Sequence, residues 1–193
     1  LVEKMTEVME PLLTTPCAFY SHSSGAGVAL ELSRHLNRAL DVQPTKFMVG
    51  GWRAPHLESP FKFLDAIADN EVYKDKNIPN IKNHLRALEI PDEVIDNDAV
   101  FDEMLPALRA DILLGKKYKF VKDEPLQCPL TAFAGSEDTV FTEDQVRGWD
   151  KQTNSEFKFV TVTGGHLFCR DNKEELLEHV TAELTEAVPV LVK

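Results

Sequence analysis

The sequence has no paired cysteines, no long apolar run and no surplus of basic residues, and each absence removes a class of function. Its three cysteines, Cys17, Cys128 and Cys169, are an odd number at wide spacings without a Cys-x-x-Cys element. That argues against a disulfide framework or a cysteine zinc site and predicts reduced thiols in apolar surroundings. No apolar stretch approaches the roughly 20 residues that span a bilayer, and the tail from Val188 to Val192 is short and interrupted by Pro189. Leu1 to Met9 mixes Glu and Lys with apolar positions, unlike the basic flank and small-residue cleavage site of a secretory signal, so the expected compartment is the cytoplasm. A formal charge of -11 argues against a nucleic-acid partner, because polyanion binding rests on clustered Lys and Arg. The histidines lack the His-Glu-x-x-His spacing, and no metal or dissociable cofactor is expected.

What remains is a chain of 193 residues, long enough for one domain with a sizeable core. Apolar positions at Val2, Met5, Val8, Leu12 and Leu13 recur at helical spacing and stop near Pro16. Cys17 to Tyr20 reads as a buried strand, Ala26 to Leu40 as a second helix and Lys46 to Gly50 as a second strand, an alternation that implies a parallel sheet. Gly51 to Leu57 is the loop leaving it. From Ser59 to Leu114 the pattern changes to helices only, at Phe61 to Ile67, Ile81 to Leu88, Asp92 to Ile95 and Val100 to Leu114, which is a helical insertion. Leu130 to Ala134 and Phe157 to Val162 resume the strands, with a helix around Gln145 to Thr153 between them. A last helix covers Lys173 to Ala187, capped by Asp171 or Asn172. Val121 to Pro129 is linker-like but too short to divide the chain into separate domains.

Ser21-His22-Ser23-Ser24-Gly25 lies between the strand ending at Tyr20 and the helix beginning near Ala26. A serine on a tight strand-to-helix turn exposes its Oγ and aims the helix N-terminus at a developing oxyanion, which is the logic of the nucleophile elbow. Gly25 supplies one small flank; Ser21 stands where glycine is usual. The two partners that a serine nucleophile needs follow in the order Ser, acid, His, each just past a strand end. Asp138, with Glu137 as the alternative acid, follows the strand at Leu130 to Ala134. His166 follows the strand at Phe157 to Val162 and the turn-forming pair Gly164-Gly165.

Around this trio the sequence resembles the type II thioesterases of polyketide and nonribosomal peptide synthesis, relatives of the medium-chain thioesterases of fatty-acid synthesis. The resemblance rests on Ser21 to Ala26 with Ala29 to Leu32, Arg53-Ala54-Pro55-His56-Leu57, Leu105 to Asp111, Cys128-Pro129-Leu130, Phe133-Ala134-Gly135, Asp138, Trp149 and Gly164 to Phe168. It implies an α/β-hydrolase fold: a mostly parallel sheet with helices on both faces and a helical lid at about 59–114 over an acyl chamber. Phe61, Leu64, Ile67, Ile81 and Leu85 would line that chamber or form the lid's own core. It further implies that Ser23, Asp138 and His166 are the catalytic triad, with the Ser24 N–H in the oxyanion hole. The substrate would be an acyl or aminoacyl thioester on the phosphopantetheine arm of a carrier protein. Arg53 and His56 fit a structural loop. Carrier proteins are usually acidic, so docking on an acidic surface calls for a local basic patch, with Arg34, Arg38, Lys116, Lys117 and Lys119 as candidates.

Members of that family carry a substantial N-terminal portion with the opening strands and a Gly-rich loop that gives a second oxyanion-hole amide. This sequence begins without methionine and has no glycine before Gly25, so it is expected to be a fragment of a longer protein. Loss of one oxyanion donor costs on the order of 100- to 1000-fold in turnover. Alternatives are a chain-releasing thioesterase domain or a carboxylesterase of the same fold. An alternative of another class is a catalytically silent, carrier-binding module, in which Ser23 and His166 would lie apart.

Overall fold

The computed structural model describes residues 1–59 and 78–187. The helix expected at Phe61 to Ile67 and the tail Val188 to Val192 lie outside the described residues. In chain order the elements are α1 (Val2–Met9), β1 (Ala18–His22), α2 (Gly25–Leu40), β2 (Lys46–Gly50), α3 (Ile78–Ala87), α4 (Asp92–Ile95), α5 (Asp98–Lys117), β3 (Leu130–Gly135), α6 (Glu143–Arg147), β4 (Phe157–Val162), α7 (Phe168–Asp171) and α8 (Lys173–Ala187). They form two compact units: Leu1–Pro55 with Asp123–Lys193, and His56–Lys122.

The first unit is built on a four-stranded parallel sheet in the order β1-β2-β3-β4. Because side chains alternate across a strand, each strand feeds both faces. Met48, Phe133 and Val162 point to one face, where Phe168 of α7 and Leu176 and Val180 of α8 cover them. On this same face Glu183 of α8 meets Lys46, Thr131 and Lys158. Lys46 is thus buried at 3% exposure in a strand that is buried throughout, and its charge is matched by a carboxylate. Phe47 points to the opposite face and packs on Trp149 at 6.0 Å between ring centroids. There α6 packs against β3 and reaches β4 through its side chains, with Arg147 over the Phe159 ring and Glu143 accepting from Thr161 Oγ1. Helices cover both faces, as the fold class requires.

Two expectations shift and a third is narrowed. β1 runs to His22 rather than stopping at Tyr20, because Ser21 and His22 stay in register with Val49 and Gly50. The helix placed at Gln145 to Thr153 starts earlier and breaks: a capping box between Thr142 and Gln145 nucleates α6, and Gly148–Gln152 tightens into a 3-10 turn. At the last helix Asn172, rather than Asp171, marks the boundary, since the Leu176 N–H donates to the Asn172 carbonyl at 3.2 Å. Asp171 ends α7 and pairs with Arg170.

The second unit has only helices among its described residues. Ile81, Leu85, Ile95, Phe101, Leu105 and Ile112 form its core. Ile81 and Leu85 therefore belong to packing within this unit, at 1% and 4% exposure. Asn97 caps α5 through its side chain, and Arg86 holds Asp92 and Asp96.

Candidate active site

The site forms where β1, β3 and β4 end, at the carboxyl edge of the parallel sheet. Ser23 occupies the single residue between β1 and the Ser24 cap of α2, at φ +53°, a left-handed conformation that costs a non-glycine residue free energy and is retained at functional turns. Two backbone hydrogen bonds hold it there: Ser23 N–H to the Gly50 carbonyl at 2.8 Å and Ala26 N–H to the Ser23 carbonyl at 2.9 Å. Ser21, the departure from glycine, is buried, and its Oγ donates to the Met48 carbonyl at 3.3 Å. The neighbouring strand absorbs the extra hydroxyl, so the buried polar group keeps a partner.

The loops after β3 and β4 are tied together. Ser136 N–H donates to the Val162 carbonyl at 2.8 Å, Glu137 N–H to the Gly164 carbonyl at 2.9 Å and Gly164 N–H to Ser136 Oγ at 3.2 Å. The approach is so close that a Cβ at Gly135 would stand 2.4 Å from the Gly165 carbonyl oxygen. Gly164, at φ +114°, turns the chain in a conformation that favours glycine. This brings Asp138 to His166: Oδ2 accepts from Nδ1 at 3.1 Å, while Oδ1 accepts from the backbone N–H groups of Val140 and Phe141 at 2.8 and 3.1 Å. Both side chains are out of solvent, at 1% exposure for His166 and 0% for Asp138. Glu137 is exposed, so Asp138 is the acid that reaches the imidazole.

His166 Nε2 lies 2.9 Å from Ser23 Oγ. The three residues that the sequence singled out form one connected line, carboxylate to imidazole to hydroxyl. With Nδ1–H donated to Asp138, the Nε2 lone pair faces the hydroxyl and can accept its proton. Ser24, exposed at the start of α2, sits where the first N–H groups of a helix have no intrahelical partner.

Residues 1–184 match the family model described as a thioesterase domain. The chain belongs to the thioesterase domain family. It is 31% identical over 185 residues to the gramicidin S biosynthesis protein GrsT of Aneurinibacillus migulanus, with 95% of this chain and 69% of that protein covered. It is 27% identical over 188 residues to the medium-chain S-acyl fatty acid synthase thioesterase of Rattus norvegicus, with 95% and 68% covered. Among solved structures, RedJ, a thioesterase from the prodiginine biosynthetic pathway in Streptomyces coelicolor, superposes with a TM-score of 0.79 at 30% identity, covering 94% of this chain and 69% of that one. Membership makes the fold that of the α/β-hydrolases and the protein a thioester hydrolase.

Other sequence-derived candidates fall elsewhere. Arg34 cannot join a docking patch: its side chain is 4% exposed, pairs with Glu31 at 3.1 Å and reaches Gln152 at 3.5 Å. Arg38 is exposed but engaged with Asp123 at 2.6 Å. Lys116, Lys117 and Lys119 belong to the helical unit. Arg53 lies over the Trp52 ring and donates to the Ala54 carbonyl at 3.2 Å, a loop-shaping role. Trp149 is fully buried and donates to the Trp52 carbonyl at 2.8 Å. The thiols are free, and burial pushes that of Cys128 up to about 11, so it is no competing nucleophile. No described helix is long and apolar enough to cross a membrane.

One participant was not legible in the sequence. His22, the variable residue of the elbow, lies against His166 itself, with ring centroids 5.6 Å apart. Its position inside the motif was the available signal.

Proposed function

We propose that this protein is a cytoplasmic serine thioesterase that removes acyl or aminoacyl groups from the phosphopantetheine arm of a carrier protein, editing stalled or mis-primed chains in polyketide or nonribosomal peptide synthesis. The observation that carries the reading is the unbroken line Asp138–His166–Ser23, with contacts of 3.1 and 2.9 Å. A silent module has no need for these distances. Kinship with GrsT and RedJ, whose names tie those proteins to gramicidin S and prodiginine synthesis, favours the carrier-bound substrate.

In the reaction, His166 Nε2 takes the Ser23 hydroxyl proton as Oγ attacks the thioester carbonyl carbon. The tetrahedral oxyanion is stabilised by the Ser24 N–H at the helix start. Collapse breaks the C–S bond, the imidazolium returns its proton to the departing thiolate, and an acyl ester remains on Ser23. Water, deprotonated by the same imidazole, cleaves that ester and releases the acid.

The test is fluorophosphonate labelling of the full-length protein with and without Ser23→Ala, followed by turnover of acyl-carrier thioesters against oxygen esters of equal chain length. Labelling confined to the protein with Ser23, and preference for the carrier thioester, is expected. A folded protein that does not label overturns the reading.

A further inference from the structure

The triad line accounts for both imidazole nitrogens of His166 but leaves its backbone to a loop that turns on two glycines. A second histidine reaches that backbone. His22, the residue immediately before the nucleophile, places Nε2 2.9 Å from the His166 carbonyl oxygen. A carbonyl only accepts, so Nε2 carries the proton and donates. Nδ1 is then an acceptor, and the Tyr20 hydroxyl, 3.3 Å away, is the donor it faces. The His166 carbonyl thus sets the tautomer, and the Tyr20 hydroxyl on the strand below the elbow supports it.

The surroundings are shaped for this pair. A Cβ at Gly50 would stand 2.7 Å from Tyr20 Oη and 2.9 Å from His22 Nδ1. One at Gly51, itself at φ +58°, would stand 3.0 Å from His22 Cε1. The consecutive glycines that close β2 therefore make room for the His22 ring and its hydroxyl partner. Phe168 closes another side, edge-on with centroids 4.9 Å apart.

We propose that His22 is a positioning residue for catalysis, whose Nε2–H pins the His166 main chain to the strand that bears Ser23 and so sets the reach of the His166 imidazole to Ser23 Oγ. This rests on the triad reading above. Asp138 fixes the far end of the imidazole from β3, and His22 fixes the backbone behind it from β1. Two anchors on different strands leave the ring little freedom to swing away from the hydroxyl. Burial, together with the nearby His166, pushes the His22 pKa down to about 4, although the bond to the His166 carbonyl opposes this. The second ring is thereby kept neutral, and an imidazolium on His166 meets no like charge during turnover.

The experiment compares two amides. The side-chain nitrogen of His22→Gln reaches the position of Nε2 and can still donate to the carbonyl; that of His22→Asn reaches only the position of Nδ1. Tyr20→Phe removes the hydroxyl that supports that tautomer at Nδ1. In the full-length protein, with acyl thioester turnover, fluorophosphonate labelling rate and thermal midpoint as readouts, His22→Asn is expected to lose about 10- to 100-fold in kcat and in labelling rate. That scale follows from the cost of misplacing a catalytic group by an ångström or less. KM stays within about twofold, because no substrate contact is removed, and His22→Gln recovers at least about a third of the wild-type rate. Tyr20→Phe loses a few-fold. The inference falls if the Asn and Gln variants are alike in kcat, or if rate follows thermal midpoint across the set. Should His22→Asn fail to fold, the expected few-fold kcat loss in Tyr20→Phe at unchanged KM decides the matter. A wild-type protein that does not label at all would instead sink the triad reading.

Discussion

Replacing Asp138 by asparagine separates what the carboxylate does for the imidazole from what it does for the loop. Oδ1 holds two backbone N–H groups, from Val140 and Phe141, and Oδ2 holds His166. In Asp138→Asn the side chain has one acceptor oxygen to place. Turned toward His166, it would set an NH2 against two part-buried N–H donors, each costing up to about 1–3 kcal/mol when left unsatisfied. The oxygen therefore stays with Val140 and Phe141, and the NH2 faces His166 Nδ1. His166 must then accept at Nδ1 and carry its proton on Nε2, where it can donate to Ser23 Oγ but not deprotonate it. In an equivalent triad the same change costs roughly 10,000-fold in kcat, a worked case for serine proteases, which is about 5.4 kcal/mol at 1.36 per tenfold. Stability should fall by only about 1–2 kcal/mol, since each backbone donor keeps a partner and loses only the assistance of charge. The assay is single-turnover acylation by an acyl thioester, with urea denaturation as the control for folding. A folded Asp138→Asn protein within tenfold of wild type would refute the tautomer argument, and with it the role given to Asp138.

Gly135→Ala places a methyl carbon 2.4 Å from the Gly165 carbonyl oxygen and 2.5 Å from that of Gly164. Both are backbone atoms, so the His166 loop itself must move; kcat should drop by about 100-fold, and an unchanged kcat would contradict the account of how the two loops are joined. Stability should also depend on pH through His22 and His84, each pushed down to about 4, with burial as the leading cause. Between that value and the ordinary histidine range near 6.5 the unfolded chain binds the extra protons, so stability rises with pH across this window, by up to about 1.4 kcal/mol per pH unit for each group. Urea midpoints at pH 5 and 7 test this, and His22→Gln should flatten the dependence.

What the sequence made legible was what local pattern encodes. β2, β4 and α8 begin and end where hydrophobic spacing and turn residues place them, and the trio Ser23, Asp138 and His166 follows because each stands just past a strand end. What it hid depends on partners far along the chain. Arg34 has the spacing of a solvated helix cation, yet Gln152, 118 residues away, lies in reach of its buried head. The Ser21 hydroxyl looks like a flaw in the elbow until Met48 of the neighbouring strand supplies its acceptor. His22 reads as a free position in the motif, while its partner lies 144 residues downstream. The break in α6 was missed for another reason: the same apolar spacing suits an α-helix and a 3-10 turn, and the capping box at Thr142 settles only where the helix starts.

The small residues that this elbow needs are not all in the elbow. The motif puts its second glycine at Gly25, yet a Cβ there meets no atom within 4 Å. Tight packing falls instead on Gly50, at the end of the next strand, where a Cβ would crowd Tyr20 Oη, His22 Nδ1 and Phe168 Cζ at 2.7, 2.9 and 3.1 Å. All three are side-chain atoms, so the fold can yield, but only by displacing the histidine that holds the His166 carbonyl. Gly25→Ala, in the first turn of α2, should therefore keep or raise the thermal midpoint, because alanine favours helix over glycine by up to about 1 kcal/mol. Gly50→Ala should cost tenfold or more in kcat at a nearly constant KM. If Gly25→Ala proves the more damaging of the two in thermal midpoint, the steric requirement resides in the motif itself and β2 is only a neighbour. If Gly50→Ala is the more damaging in kcat, the nucleophile turn is a property of two adjacent strands, which is why a serine can stand at position 21 without disturbing it.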